Sequence, residues 1–277
     1  MSPSTHAQAA AAAPAGEDPS LAAPEAAWPL AEPPLAELPL DGPPEARALH
    51  ALAIDTTSDV LSLALLRAGR LAAAQYDAIG RRTTREILPR IASLLREAGL
   101  APGDLHVLVV ARGPGSFTGT RIGMAVALTF AQVTGRPLVG VDSLRLLAAQ
   151  TAPEDGREFP VLLNCARDEV YHARYRWEAG GLARTTGMTL RRLDILLPEL
   201  RGEPVVLRRF RPGVGTTPEA EAAFAALPRR ALRHAQPDGV RLLAAGLGRF
   251  LAEPGREWRR VEPIYLKSEA FRTWRPA

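Results

Sequence analysis

Ser116 and the backbone amides around it are the groups best placed for chemistry. They lie in Ala111-Arg-Gly-Pro-Gly-Ser-Phe-Thr-Gly-Thr-Arg-Ile-Gly123, a glycine-rich turn joining a short β-branched run to an apolar helical run. A helix that starts from such a turn presents unpaired N–H groups, which suit a phosphate or another anion. Gly113 and Gly115 give the backbone access to positive φ and to close approach, and Pro114 stiffens the turn. The spacing nevertheless matches no established signature. A Walker loop needs a lysine, and none is near. Gly113, Gly115 and Gly119 are spaced G-x-G-x-x-x-G where a dinucleotide fingerprint has G-x-G-x-x-G, and Ser116 lacks the second glycine flank of a nucleophile elbow. A structural turn that packs the helix closely on a sheet is the other reading, and spacing alone leaves both open.

Other reactive groups are sparse. The single cysteine, Cys165, excludes an intrachain disulfide and points to a reducing compartment. Its apolar neighbourhood, Val161-Leu-Leu-Asn-Cys-Ala166, reads as a small buried hydrophobe rather than a nucleophile. Arginines cluster at Arg208-Arg-Phe-Arg211, Arg229-Arg230 and Arg259-Arg260, which raises direct RNA binding. Lys267 is the only lysine, however, so the chain uses arginine wherever it needs a base, and the clusters are scattered.

The elements that must position these groups follow from periodicity. His50–Ser58 reads as a strand ending in an acidic and hydroxyl turn, Val60–Leu66 as its returning partner, and Leu71–Tyr76 as a third strand after the break at Ala68-Gly-Arg70. Thr83-x-x-Glu86 has the form of a capping box. Ile87, Ile91, Leu94, Leu95 and Ala98 then recur at helical spacing up to Gly99, with Pro89 expected to kink the helix. Leu105–Ala111 is a buried strand, and the helix after the glycine turn is apolar on two faces. One carries Ile122, Ala125, Val126, Phe130 and Val133; the other carries Met124, Ala127, Leu128 and Ala131. Such a helix needs a second cover besides its own sheet: the kinked helix, a partner chain or both, with both favoured. Gly119 and Gly123, four apart, would let another backbone approach. Pro137–Asp142 closes a βαβ unit. Further on, Val161–Asn164 and Glu169–Tyr175 form a hairpin, Pro204–Leu207 is a strand, and Asp238 caps a helix that returns to the first domain.

Residues 1–47 are Ala- and Pro-rich, acidic and without period, which predicts a disordered extension and argues against a mitochondrial or secretory leader. No run approaches the roughly 20 apolar residues of a membrane span. A soluble, cytoplasmic protein is therefore expected. The divisions read as 1–47 extension, 48–157 first lobe, 158–237 second and smaller lobe, and 238–277 returning helix plus tail.

The motifs Leu52-Ala-Ile-Asp-Thr-Thr57, Ile87-Leu-Pro89, Arg112-Gly-Pro-Gly-Ser-Phe-Thr-Gly119 with Arg121-Ile-Gly123, Gly140-Val-Asp-Ser-Leu144, Asp168-Glu-Val-Tyr171 and Glu262-Pro-Ile-Tyr-Leu266 occur in order from Ala51 to Lys267. Together they resemble the TsaB (YeaZ) family of tRNA threonylcarbamoyladenosine biosynthesis. The resemblance implies an α/β fold of two degenerate actin/Hsp70-like (ribonuclease H-like) lobes. It also implies a non-catalytic scaffold for modification at position 37 of tRNA, which pairs with the TsaD transferase, helps recruit TsaE and meets tRNA only through the complex. For the chain alone a homodimer is one possible state, and the sequence leaves that open.

The docking surface implied by the resemblance comprises Ile87, Leu88, Ile91, Leu95, Phe117, Arg121, Met124, Ala127 and Leu128. TsaD-type chemistry needs two histidines four apart on a helix. His6, His50, His106, His172 and His234 contain no such pair, so neither a metal site nor a catalytic residue is expected. The remaining cofactor reading is weak ATP or ADP with Mg at the complex interface, touching Asp55, Thr56, Thr57, Gly113, Gly115 and Ser116; a superfamily ATPase uses a carboxylate at Asp55 to orient Mg and phosphate. Thr83 stands where many members have histidine, and Asn164 where they have aspartate. The glycine pair of the second lobe is not evident: Val205–Phe210 fills its place and Gly213-Val-Gly215 is displaced.

Overall fold

The computed structural model describes residues 25–28, 48–78, 80–151, 156–165, 168–179, 181–209, 217–230, 238–253, 256, 258 and 260–266. Two sheets organise it. The first has the order β4-β3-β2-β5-β6, from β2 (Ala51–Asp55), β3 (Leu61–Arg67), β4 (Arg70–Asp77), β5 (Val107–Ala111) and β6 (Leu138–Val141). β2, β3 and β4 form an antiparallel meander, and β5 and β6 add in parallel to β2. Parallel addition requires crossovers, supplied by α1 (Thr83–Glu97) before β5 and α2 (Phe117–Thr134) before β6.

Alternation along the strands divides the core into two layers. Leu52, Ile54, Leu63, Leu65, Leu108 and Val110 face α1 and α2, where Ile87, Ile91, Leu94, Met124 and Ala127 meet them. The opposite face is lined by smaller residues, among them Ala51, Ala53, Ala64 and Val109, and is covered by α6 (Gly239–Ala252). Gly246 lies so close to Val109 that a Cβ there would overlap the valine methyls. Asp238 caps α6 by accepting from the N–H groups of Val240 and Arg241, and Gly239 N–H donates to Ser62 Oγ at 2.9 Å, which fixes the returning helix to the first sheet.

The second sheet runs β1-β9-β8-β7-β11, with β10 on the free length of β8. Its strands are β1 (Glu25–Trp28), β7 (Phe159–Asn164), β8 (Glu169–Glu178), β9 (Gly181–Arg184), β10 (Thr189–Arg192) and β11 (Val206–Arg208). α4 (Leu193–Leu200) and α5 (Pro218–Ala226) cover one face, and α3 (Ser143–Ala148) covers the other with Leu144, Leu147 and Ala148. α3 belongs to the chain of the first lobe but packs on the second sheet, so it ties the lobes together. Arg145, fully buried there, donates to the Leu182 carbonyl at 2.5 Å, and Tyr175 donates to Asp142 at 3.1 Å.

One feature of the extension 1–47 and one sequence expectation bear on this architecture. Within the extension, Glu25–Trp28 pairs antiparallel with β9. An open sheet edge recruits extended backbone whatever its side chains, and β9 would otherwise be such an edge. All other residues of the extension except 25–28 lie outside the described residues. The capping box at Thr83 does not form, because a 3-10 turn (Gly80–Arg82) runs straight into α1 and leaves Thr83 already helical. Thr83 instead donates to the Gly80 carbonyl at 2.7 Å, and Glu86 pairs with Arg90 at 3.2 Å.

The second lobe holds a titratable group with a measurable consequence. Burial, then the charges of Arg174 and Arg191, pull His172 down to about 4 against the partial offset of Glu199 and Glu203. Its Nε2 is buried without a hydrogen-bond partner among the described residues. The unfolded chain takes up this proton near pH 6.5 while the folded chain refuses it until about pH 4, so stability is complete above pH 6.5 and falls between those values. The loss amounts to about 3 kcal/mol at most. Thermal melts of His172→Gln are expected to fall less steeply from pH 6.5 to pH 4 than those of the parent. Parallel slopes would show that His172 is not responsible.

Candidate functional site

Asp55 ends β2, and the chain turns at once through Thr56 and Thr57 onto the glycine-rich segment. Thr57 donates both its N–H (2.8 Å) and its hydroxyl (2.7 Å) to Asp55 Oδ1. Thr56 donates its hydroxyl to the Gly119 carbonyl at 2.7 Å, and Ser116 N–H donates to the Thr57 carbonyl at 2.7 Å. A Cβ at Gly115 would strike the Thr57 carbonyl, one at Gly119 the Thr56 carbonyl and one at Gly123 the Thr56 hydroxyl. These glycines therefore admit the chain's own Asp55–Thr57 turn, and not the backbone of another molecule.

This changes the anion-cradle reading of Gly113, Gly115 and Ser116. Three amides that an anion would need are engaged: Ser116 N–H by Thr57, Gly119 N–H by the Ser116 hydroxyl at 3.2 Å, and Thr120 N–H by the Ser116 carbonyl at 2.8 Å. Gly113 sits at φ 94°, and its carbonyl accepts from Ser143 N–H at 2.8 Å. These three amides are satisfied within the fold, as close packing of the turn on the Asp55–Thr57 backbone requires.

A narrow cleft opens between the lobes beside Asp55. Asp55, Thr57, Ser58, Ser143 and Gln150 line it from the first lobe, and Leu163 and Arg208 from the second. Asp55 is 2% exposed and Arg208 9%. Burial pushes the Asp55 carboxyl upward, while the Thr57 donors and the Arg208 charge act against that rise. Arg208 is lowered by burial, with Asp55, Tyr76 and Asp59 pulling the other way, and its side chain hydrogen-bonds Tyr76.

The helical docking residues separate into two groups. Ile87, Ile91, Leu95, Met124 and Ala127 are buried in the first-lobe core and present nothing to a partner. This corrects the expected surface: both apolar stripes of α2 are partly consumed, because the Asp55–Thr57 turn draws the helix start down while α1 covers its flank. Leu88 (52% exposed), Phe117 (56%), Arg121 and Leu128 do remain outside, joined by Val133 (80%). The Arg121 guanidinium lies 4.3 Å from the centre of the Phe117 ring, and the Tyr265 ring centre lies 5.2 Å from it, tilted by 50°. Tyr265 arrives on the C-terminal segment, held where Ile264 N–H donates to the Arg112 carbonyl at 2.7 Å. The motif Glu262–Leu266 was the signal for it, but sequence spacing gave Tyr265 no role.

The described arginines of the first two clusters are engaged internally, whereas Arg260 of the third is exposed and 3.9 Å from Glu262. Arg209 pairs with Glu221 and stacks on Phe224, Arg229 donates to the Phe224 carbonyl at 3.1 Å, and Arg230 stacks on Phe159. Arg211 and Arg259 lie outside the described residues, as do Gly213-Val-Gly215 and Lys267. Cys165 is half-buried, and burial raises its pKa, so it stands as a neutral thiol beside Tyr171. Among the described residues no group of three or more His, Cys, Asp and Glu could hold a metal, and no helix is long and apolar enough to cross a membrane.

Two sheets bridged by helices, with a cleft between, define a two-lobed α/β protein. The family model "TsaD: tRNA N6-adenosine threonylcarbamoyltransferase" matches residues 77–222, more than half of the chain. The chain is 38% identical over 129 residues to the tRNA threonylcarbamoyladenosine biosynthesis protein TsaB of Bacillus subtilis (strain 168), covering 47% of this chain and 56% of that one. It is 34% identical over 135 residues to TsaB of Escherichia coli (strain K12), covering 48% and 58%. Its fold matches YeaZ from Pseudomonas aeruginosa with a TM-score of 0.59 at 24% identity, over 79% of this chain and all of that one. The chain belongs to the matched family and, within it, to the TsaB (YeaZ) proteins. The alignments span just under three fifths of the two curated relatives.

Proposed function

We propose that this chain is a non-catalytic subunit of the machinery that makes threonylcarbamoyladenosine at position 37 of tRNA. It docks on a TsaD-type transferase through the exposed part of α1 and α2, helps recruit TsaE and meets tRNA through the assembled complex. The observation that carries this reading is the aromatic and arginine patch that Phe117 and Arg121, on a helix whose inner face is buried in the core, form with Tyr265 of the C-terminal segment. Aromatic and arginine residues are the usual anchors of an interface. The names of the similar proteins place their function in this biosynthesis, and the matched family model describes the transferase. The internal engagement of Arg209, Arg229 and Arg230 weighs against independent, specific RNA binding.

The test is co-purification of the full chain with the transferase from the same organism, with and without nucleotide, followed by assay of tRNA modification in the reconstituted mixture. A stoichiometric complex that is required for modification is expected. Two proteins that elute separately under all conditions, with modification independent of this chain, would overturn the proposal. A weak ATPase is the second reading, favoured by Asp55 beside the interlobe cleft. It requires saturable binding of Mg-ATP by the chain alone, and calorimetry showing no heat would dispose of it.

A further inference from the structure

The register across the first sheet places Asp55 opposite Ser62, and Ser62 opposite Tyr76, so the three stand in one row at the cleft end of β2, β3 and β4. Thr57 engages only one oxygen of the Asp55 carboxylate, Oδ1. A buried carboxylate flanked by Thr57, Ser58 and Ser143 hydroxyls has the hard oxygen donors that a divalent cation prefers. Across the cleft, β11 lies in parallel register with β7, pairing Arg208 with Leu163, and both of these residues line the cleft. The Arg208 side chain extends from there into the row, hydrogen-bonding Tyr76 within electrostatic reach of Asp55 and Asp59.

We propose that Arg208 is an internal counter-cation: it stands beside Asp55 in place of a divalent metal, keeps metal–nucleotide out of the cleft, and links the second lobe to the first. A positive charge lining the same cleft repels an incoming divalent ion and offsets the carboxylate that would ligate it. A guanidinium suits the position because it stays charged when buried and can bond to a phenol oxygen and face a carboxylate together. The cleft thus keeps the residue types of a cation site but supplies its own cation. This inference does not depend on docking to the transferase, and would hold for the chain alone.

The test uses the full chain and Mn²⁺ as probe, read by loss of its free-ion EPR signal, with Mg-ATP calorimetry alongside. The parent is expected to show no saturable binding. Arg208→Met is expected to gain affinity for Mn²⁺ by about tenfold or more, and Arg208→Met/Asp55→Asn to lose that gain. Arg208→Lys, which keeps the charge, should remain as inert as the parent. The proposal is overturned if the folded Arg208→Met chain binds Mn²⁺ no better than the parent, or if the parent itself binds saturably. If Arg208→Met does not fold, the double variant decides: recovery of its circular dichroism and melt supports the pairing, because the stranded carboxylate has gone, and failure to recover refutes it.

Discussion

Met124→Asp is expected to leave no folded protein. Met124 is 3% exposed and packs with Leu52, Ile54, Leu108 and Val110 beneath α2. Replacing it forfeits about 2 kcal/mol of apolar burial and places a carboxylate in that core without a partner, at a cost of several kcal/mol more. Domains are stable by only about 5–15 kcal/mol, so the two together remove most or all of the margin. Ala127→Asp should behave alike, since Ala127 is fully buried in the same layer. Circular dichroism and thermal melting of purified protein check this; a cooperative melt near that of the parent would refute the burial. Charges at these two positions therefore cannot probe docking with the fold intact.

Phe117→Asp should do what those variants cannot. More than half of this ring is exposed, and its contacts are the Arg121 guanidinium and the Tyr265 ring, each a modest interaction at the surface. The fold should lose about 1 kcal/mol or less. If the patch anchors the transferase, the complex should weaken by about 2 kcal/mol or more, which is about thirtyfold in Kd. Titration by calorimetry or surface plasmon resonance reads this directly, and the melt of the free variant guards against misfolding. Unchanged affinity would remove the patch from the interface. In that event Val133→Glu, at the other end of α2, would show whether docking uses a different part of the same helix.

Much of the fold was legible because its patterns are local. The meander of β2, β3 and β4 follows from apolar runs separated by Ala68 and Gly69, which take φ 49° and 71° in the turn. Ser116 and Asp238 cap α2 and α6 as their types suggest. The Thr83 cap failed, because nothing in Thr-x-x-Glu announces that the preceding 3-10 turn makes Thr83 helical. Residues 181–208 were harder: β9 and β10 are four residues each and share an edge of β8, and α4 contains Pro198, so period and propensity are both weak there. α3 escaped because all six of its residues are buried between the lobes, which erases the amphipathic stripe that reveals a surface helix.

Arg208 and Tyr265 show the same limit in the candidate sites. Each is an ordinary residue in its own stretch of chain, and each gains meaning only from a residue far away in sequence, Asp55 for the first and Phe117 for the second.

By itself the sequence determined the family and the order of the first lobe, because a long specific motif string and local hydrophobic periodicity need no distant partner. It also established that α2 is apolar on more than one side. Only the tertiary structure decided which side remains open. Gly115, Gly119 and Gly123 let the Asp55–Thr57 turn sink against the helix, and this burial, made by residues about 60 positions apart, turns one apolar face into core and leaves Phe117, Leu128 and Val133 outside.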